Sequence, residues 1–216
     1  MITTLLFDFD GTLVDSEVIH FRCWQEVLTP FGVFFDEERF CQLYSGKPTL
    51  ASAFDVVAKH NLDANPETLA QQKNALFAKV VKNELPPLMP HAKDVLYAAK
   101  AAGFTLALVT GSTRDEVTPI LEGYGFTDLF ETVVCKDDVT NPKPHPEPYL
   151  LALSRLGVDA RHGVALEDTS TGSRSAKDAR LCVYAIPNKY TQEQDFAHVD
   201  EKYDDLLQMY TQLTKT

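Results

Sequence analysis

Two aspartates one residue apart, Asp8 and Asp10, close an apolar run that starts at Ile2, and Gly11 and Thr12 follow at once. Alternate side chains of a strand point to one face, so the two carboxylates would converge at the strand's end. Paired acids in that position suit a metal site, an acid/base pair, or both. Asp and Gly also populate ordinary turns, which is the plain alternative for this segment taken alone. An EF-hand is excluded, because the twelfth position counted from Asp8 is Ile19 and not glutamate.

The elements that must position these acids change character along the chain. Ile19, Cys23, Trp24, Val27 and Leu28 recur at helical spacing. Further helices are expected over Asp36–Tyr44, Leu50–His60 and from Asn65-Pro66 onward, so Ser16 to Glu84 reads as all helix. Beyond Pro87 helices and short apolar strands alternate. The expected helices are His91–Ala102, Arg114–Tyr124, Glu147–Leu156, Ser173–Ala179 and Tyr203–Leu213. The expected strands are Thr105–Thr110, Thr132–Cys135, Gly163–Leu166 and Cys182–Ile186. That alternation predicts an α/β fold, a Rossmann-like parallel sheet covered on both faces. The helical block after the first strand predicts an inserted all-helical cap, with residues 16–85 as cap and residues 1–15 and 86–216 as catalytic core.

Ligands of open parallel sheets sit beyond the carboxyl ends of the strands. The residues that follow each predicted strand are Asp8, Asp10, Gly11 and Thr12; then Thr110, Gly111 and Ser112; then Lys143; then Glu167 and Asp168. Mg²⁺ takes oxygen ligands and is commonly held by one or two carboxylates and a substrate phosphate. Asp8 and Asp168 can supply carboxylates, Asp10 its backbone carbonyl, and Glu167 a hold on metal-bound water. A hydroxyl, the backbone N–H groups after Thr110 and the Lys143 ammonium suit phosphoryl oxygens.

Asp8-Phe9-Asp10-Gly11-Thr12, Val109-Thr110-Gly111-Ser112, Lys143-Pro144-x-Pro146-Glu147 and Leu166-Glu167-Asp168-Thr169 resemble, in order, the four motifs of the haloacid dehalogenase superfamily. Leu13-Val14-Asp15-Ser16-Glu17 and Gly172 further resemble its branch of phosphatases and β-phosphoglucomutases with a helical cap. The resemblance implies that Asp8 is a nucleophile forming a phosphoaspartate and that Asp10 moves the proton. It implies that Thr110 and Lys143 orient and neutralise the phosphoryl group, and that Glu167 and Asp168 complete a magnesium site with Asp8 and Asp10. Asp10 must then hold a proton when the leaving group departs, although a free aspartate has a pKa of about 3.9. True dehalogenases of this superfamily lack the second aspartate, so dehalogenation is not expected.

The resemblance also places substrate contacts on the cap. His20 and Trp24 share a helix face; they either look into the closed cleft or serve as a surface histidine and cap core. Gly46-Lys47 occupies a break that is a specificity loop in the family, where Lys47 either meets an anionic group or is a solvated surface lysine, while Lys73-Asn74 is a weaker candidate that reads rather as a solvated helix face. Thr49 stands where the mutases carry an arginine for a distal phosphate, which favours hydrolysis over phosphomutase activity. Arg180 stands where the family usually has glycine, with no reason visible in the sequence. A signalling receiver domain is disfavoured by the inserted cap and by a nucleophile on the first strand.

Composition bounds the rest. The chain has 216 residues, 44% of them hydrophobic, enough for one sizeable core. A net charge of −11 argues against nucleic acid or an anionic membrane as partner. Cys23, Cys41, Cys135 and Cys182 are far apart and form no metal or redox pair. No signal peptide or membrane span is read, so a cytoplasmic, monomeric, Mg²⁺-dependent phosphatase of a small phosphorylated metabolite is the expectation.

Overall fold

The computed structural model describes residues 1–215. Its central strand, β1 (Thr4–Phe7), runs parallel between β2 (Thr105–Val109) and β4 (Gly163–Glu167). All four β1 residues are buried, as a strand covered on both faces requires. With β3 (Thr132–Val134), β5 (Cys182–Ala185) and β6 (Glu201–Lys202), the strands form one parallel sheet ordered β3-β2-β1-β4-β5-β6. Phe7 is in register with Leu108 and Leu166, so Asp8, Thr110, Glu167 and Asp168 all leave the sheet at one edge. The chain order reverses between β1 and β4, where ligands of such sheets bind.

The alternation of side chains along β1 feeds two cores. Leu5 and Phe7 pack with Val95 and Leu96 of α5 (Ala92–Ala101), Val117 and Ile120 of α6 (Arg114–Tyr124), and Met209 of α9 (Leu206–Leu213). Leu6 packs on the other face with Tyr149 and Ala152 of α7 (Glu147–Leu156) and Ala176 of α8 (Ser170–Asp178). Helices on both faces confirm the expected architecture.

Between β1 and α5 the chain is helical: α1 (Glu17–Leu28), α2 (Glu37–Tyr44), α3 (Thr49–His60) and α4 (Pro66–Val80). Trp24, Leu28, Phe40, Tyr44, Val56 and Leu69 give these helices their own apolar cluster. Ile19, Cys23, Phe77 and Val81 pack instead with the sheet's core and tie the helices down. The chain leaves and re-enters the sheet layer side by side, with Asp15 N–H donating to Pro87 O (2.7 Å) and Met89 N–H to Leu13 O (2.9 Å).

Several boundaries differ from expectation. β6 is an exposed Glu-Lys pair without an apolar signal, and Tyr203 N–H still bonds Ala185 O, so the last helix starts at Leu206 behind its Asp205 cap. α8 begins at Ser170, because the Thr169 side chain caps it through Gly172 N–H. The puzzle of Arg180 also resolves in the backbone. Its φ is +65°, in the left-handed region just past α8, where glycine is the unstrained residue. The left-handed cost of about 1–2 kcal/mol exceeds the roughly 0.5–1 kcal/mol of extra chain entropy that glycine loses on folding. Arg180→Gly is therefore expected to stabilise the protein by about 0.5–1 kcal/mol in urea unfolding, and a loss of stability would contradict this account.

Candidate active site

Lys143 is the hub of the strand-edge cluster. Its ammonium donates to Asp8 Oδ1 (2.6 Å), Glu167 Oε1 (2.6 Å) and Val109 O (2.8 Å), with the Tyr149 ring 5.0 Å away. Glu167 also accepts from the Tyr149 hydroxyl. Asp168 lies beside them, held by Asn188 Nδ2 at 2.8 Å. Three buried acids thus face one lysine, and the electrostatics register the excess. Burial and then Glu167 push the Asp8 carboxyl up to about 8 against the pull of Lys143. Burial, Asp8 and Glu167 push Asp168 well above the carboxylate range. Burial alone would lower the Lys143 pKa, but Asp8 and Glu167 outweigh it and raise it.

A divalent cation fits this cluster. One ligand atom from each of Asp8, Glu167 and Asp168 lies within 4.8 Å of the others. Glu167 Oε2 and Asp168 Oδ1 are buried without a hydrogen-bond partner, a costly state unless a cation or its water faces them. The Asp10 carboxylate is not part of the cluster; its backbone carbonyl is the expected contribution.

Asp10 sits in a different environment. Ser16 Oγ donates to one carboxylate oxygen (2.5 Å) and Ser112 Oγ to the other (2.6 Å), with Thr110 Oγ1 at 3.5 Å. Burial pushes this carboxyl up, but His20 and the two serine hydroxyls overcome it and hold it at about 2. His20 stacks on Phe77 with ring centroids 3.9 Å apart. Its Nδ1 accepts from Lys73 Nζ at 2.7 Å, so the network assigns the neutral ring's proton to Nε2, 3.7 Å from Asp10 Oδ1. Burial and then the Lys73 charge keep the His20 pKa low.

These groups open into a cleft of about 150 Å³ between cap and sheet, lined in part by Asp8, Asp10, His20, Trp24, Lys47 and Lys143. Both readings of Trp24 meet here: it belongs to the cap's apolar cluster and also edges the cleft. Gly46 (φ +75°) lies against the core, where a Cβ would come within 2.4 Å of Thr169 Cγ2. Lys47 is exposed at the rim, 5.2 Å from the Tyr44 ring centroid. Gly111 and Ser112 line the cleft. Gly11 and Thr12 instead line a second cavity of about 590 Å³ on the far side of the turn. Gly11 adopts φ +80°, and a Cβ there would sit 2.2 Å from Asp168 Oδ2, so glycine permits both the turn and the close approach.

One expectation is overturned. Lys73 is not on a solvated helix face; it is buried, because α4 packs on α1 and directs the ammonium to His20 in the cleft. Glu17, Glu116, Lys136 and Asn188 were not anticipated. Asn188 comes from a turn after β5 that carries no motif, and its side chain is fixed on both sides. Its Oδ1 accepts from Tyr190 N–H (2.9 Å), and its Nδ2 donates to Asp168 Oδ2 and Gly11 O.

A parallel sheet carrying acids, a hydroxyl and a lysine on its carboxyl edge, beneath a helical cap, defines a capped α/β protein with a candidate active site at the sheet edge. Residues 5–186 match the family of haloacid dehalogenase-like hydrolases. Protein CbbY of Rhodobacter capsulatus is 30% identical over 216 residues, covering 96% of this chain and 95% of its own. The fructose-1-phosphate phosphatase YqaB of Escherichia coli (strain K12) is 31% identical over 82% of this chain and 92% of its own. The crystal structure of CbbY from Rhodobacter sphaeroides in complex with phosphate superposes with a TM-score of 0.82 at 29% identity, covering 95% of each chain. The chain belongs to the haloacid dehalogenase-like hydrolases, in their phosphatase branch.

The Asn188 contacts yield a prediction. By holding Asp168 Oδ2, Asn188 leaves Oδ1 free for a cation. Asn188→Ala is expected to weaken Mn²⁺ or Mg²⁺ binding about 10–100-fold in a calorimetric titration. An unchanged dissociation constant would contradict the role.

Proposed function

We propose that this protein is a Mg²⁺-dependent phosphatase that hydrolyses a small phosphorylated metabolite, of the sugar-phosphate kind, through a phosphoaspartate on Asp8. The carrying observation is the unequal treatment of two acids in one cleft. Asp8 lies beside a lysine in the acid cluster, and Asp10 lies among hydroxyls and a neutral histidine.

Asp8, Asp168, Glu167 and the Asp10 backbone carbonyl would hold the magnesium ion. When bound, the ion supplies positive charge against the phosphoryl oxygens and keeps Asp8 ionised. An Asp8 carboxylate oxygen attacks phosphorus, and the bond to the leaving oxygen breaks. Lys143 and the Thr110 hydroxyl orient the transferring group. Asp10 gives the leaving oxygen a proton, then takes one from the water that cleaves the phosphoaspartate. In this arrangement Asp10 is ionised. A bound phosphate places negative charge beside it and displaces water, and both effects raise its pKa toward the value an acid needs.

The cap, residues 16–85, covers the cleft and reads the rest of the substrate. A cleft of about 150 Å³ is below the roughly 300–1,000 Å³ of drug-sized sites, which supports a small substrate. The name of the fructose-1-phosphate phosphatase among its relatives supports the same class. Thr49, in place of the mutases' arginine, supports hydrolysis over transfer. Among the described residues no helix is long and apolar enough to cross a membrane; we take the enzyme to act as a cytoplasmic monomer.

Asp8→Asn is expected to lower turnover of p-nitrophenyl phosphate by at least ~10³-fold. EDTA should abolish the wild-type rate, and Mg²⁺ should restore it. Substantial hydrolysis by Asp8→Asn, or indifference to EDTA, would defeat the reading.

A further inference from the structure

The second cavity is used by nothing in the mechanism above. Its volume of about 590 Å³ falls within the roughly 300–1,000 Å³ of sites for small organic ligands. It lies where the cap joins the core, with Asp15 of the outgoing linker and Met89 of the returning one both in its wall. Leu88, Met89, Ile186, Tyr190, Tyr203 and Leu206 make much of that wall apolar and aromatic, as ligand sites are. Two polar groups in it are unanswered. The Asp15 side chain has no hydrogen bond or ion pair among the described residues. Thr12 is buried, and its hydroxyl has no partner.

We propose that this cavity is a second ligand site, for a small organic ammonium ion with an apolar or aromatic body, and that its occupant acts on the acid cluster through Asn188. The charges in the wall select the ligand. Asp15, Asp204 and Asp205 outnumber Lys189 and Lys202. Both lysines are exposed and lie near aromatic rings, Lys189 Nζ 4.5 Å from the Tyr190 centroid and Lys202 Nζ 5.6 Å from that of Phe196. Asp205 Oδ1 already accepts from Gln208 N–H (2.7 Å), and Asp204 Oδ2 from Gln208 Nε2 (3.4 Å). Asp15 is therefore the carboxylate left for a ligand's ammonium, while an anion would meet three acids. Tyrosines in the wall bury an apolar body and attract a positive charge. Asn188 supplies the link: it lines the cavity, and its Nδ2 donates to Asp168 Oδ2 and Gly11 O. An occupant packed against Asn188 favours the arrangement that leaves Asp168 Oδ1 free, so the organic cation and a metal ion each tighten the other.

Among Met1, Met89 and Met209, Met89 alone lines the cavity, so its ¹³C-methyl NMR signal reports occupancy without any turnover. The chelator-treated protein is titrated with 2-phenylethylamine and cyclohexylamine to about 10 mM. At least one of the two amines should shift the Met89 signal saturably. Its carboxylate counterpart, 3-phenylpropionate or cyclohexanecarboxylate, should bind at least about tenfold more weakly. Asp15→Asn should weaken the amine about tenfold. With the amine at saturation, calorimetry should find Mg²⁺ bound about fivefold more tightly. No shift by either amine, equal binding of the carboxylate, or undiminished binding to Asp15→Asn would overturn the site. Should that variant not fold, the wild type's preference between amine and carboxylate decides alone. An unchanged Mg²⁺ affinity would overturn the link through Asn188. Every readout is a binding measurement, so the phosphatase reading stands or falls separately.

Discussion

Three carboxylates, Asp8, Glu167 and Asp168, lie buried at the ends of adjacent strands, and Lys143 is the one ammonium among them. Such a cluster is stable only if its excess charge is answered. The fold gives part of the answer. Lys143 spans two acids, Tyr149 donates to Glu167, and Asn188 ties one oxygen of Asp168. Two acid oxygens remain unmet, at the sheet edge where a cation and a phosphoryl group would sit. The register that places Phe7 level with Leu108 and Leu166 brings the cluster together, so a slip of one residue would scatter it.

The cap shares in the same electrostatics. Ser16 and His20 reach Asp10 from the start of α1, and Lys73 reaches His20 from α4. The environment of Asp10 is therefore assembled partly by residues of the cap, while that of Asp8 is built by the core alone, from strand ends and from Lys143 in the loop before α7. Because cap and sheet both contribute hydrogen bonds to it, the low pKa of Asp10 depends on the cap lying where it does. Gly46 against Thr169 and Gln194 against Ser45 O mark where the cap rests on the core.

The sheet and its acid edge were legible because their signals are local. Buried parallel strands are short apolar runs, and the functional groups follow them directly at Asp8, Thr110 and Glu167. The helical insertion was legible from periodicity alone. What escaped depends on contacts between distant segments. Lys73 reads as solvated until α4 is packed on α1, and Asn188 carries no motif because it acts through Asp168 across the sheet edge. β6 has two charged residues and no apolar pattern. Arg180 differed from the family pattern, but only the backbone shows why glycine is usual there. Gly11 and Thr12 sit within the motif yet face the second cavity, since a motif specifies neighbours in sequence and not the side of a turn.

The claim that this acid cluster is electrostatically incomplete without a divalent cation is tested most directly by thermal unfolding of the chelator-treated protein as MgCl₂ is added. A ligand at 100 times its dissociation constant stabilises by about 2.7 kcal/mol, or roughly 5–10 °C in a domain of this size. The wild type should show a saturable rise of that order, and Asp168→Asn should lose most of it. A wild-type melting temperature indifferent to Mg²⁺, or an equal rise in Asp168→Asn, would contradict the account.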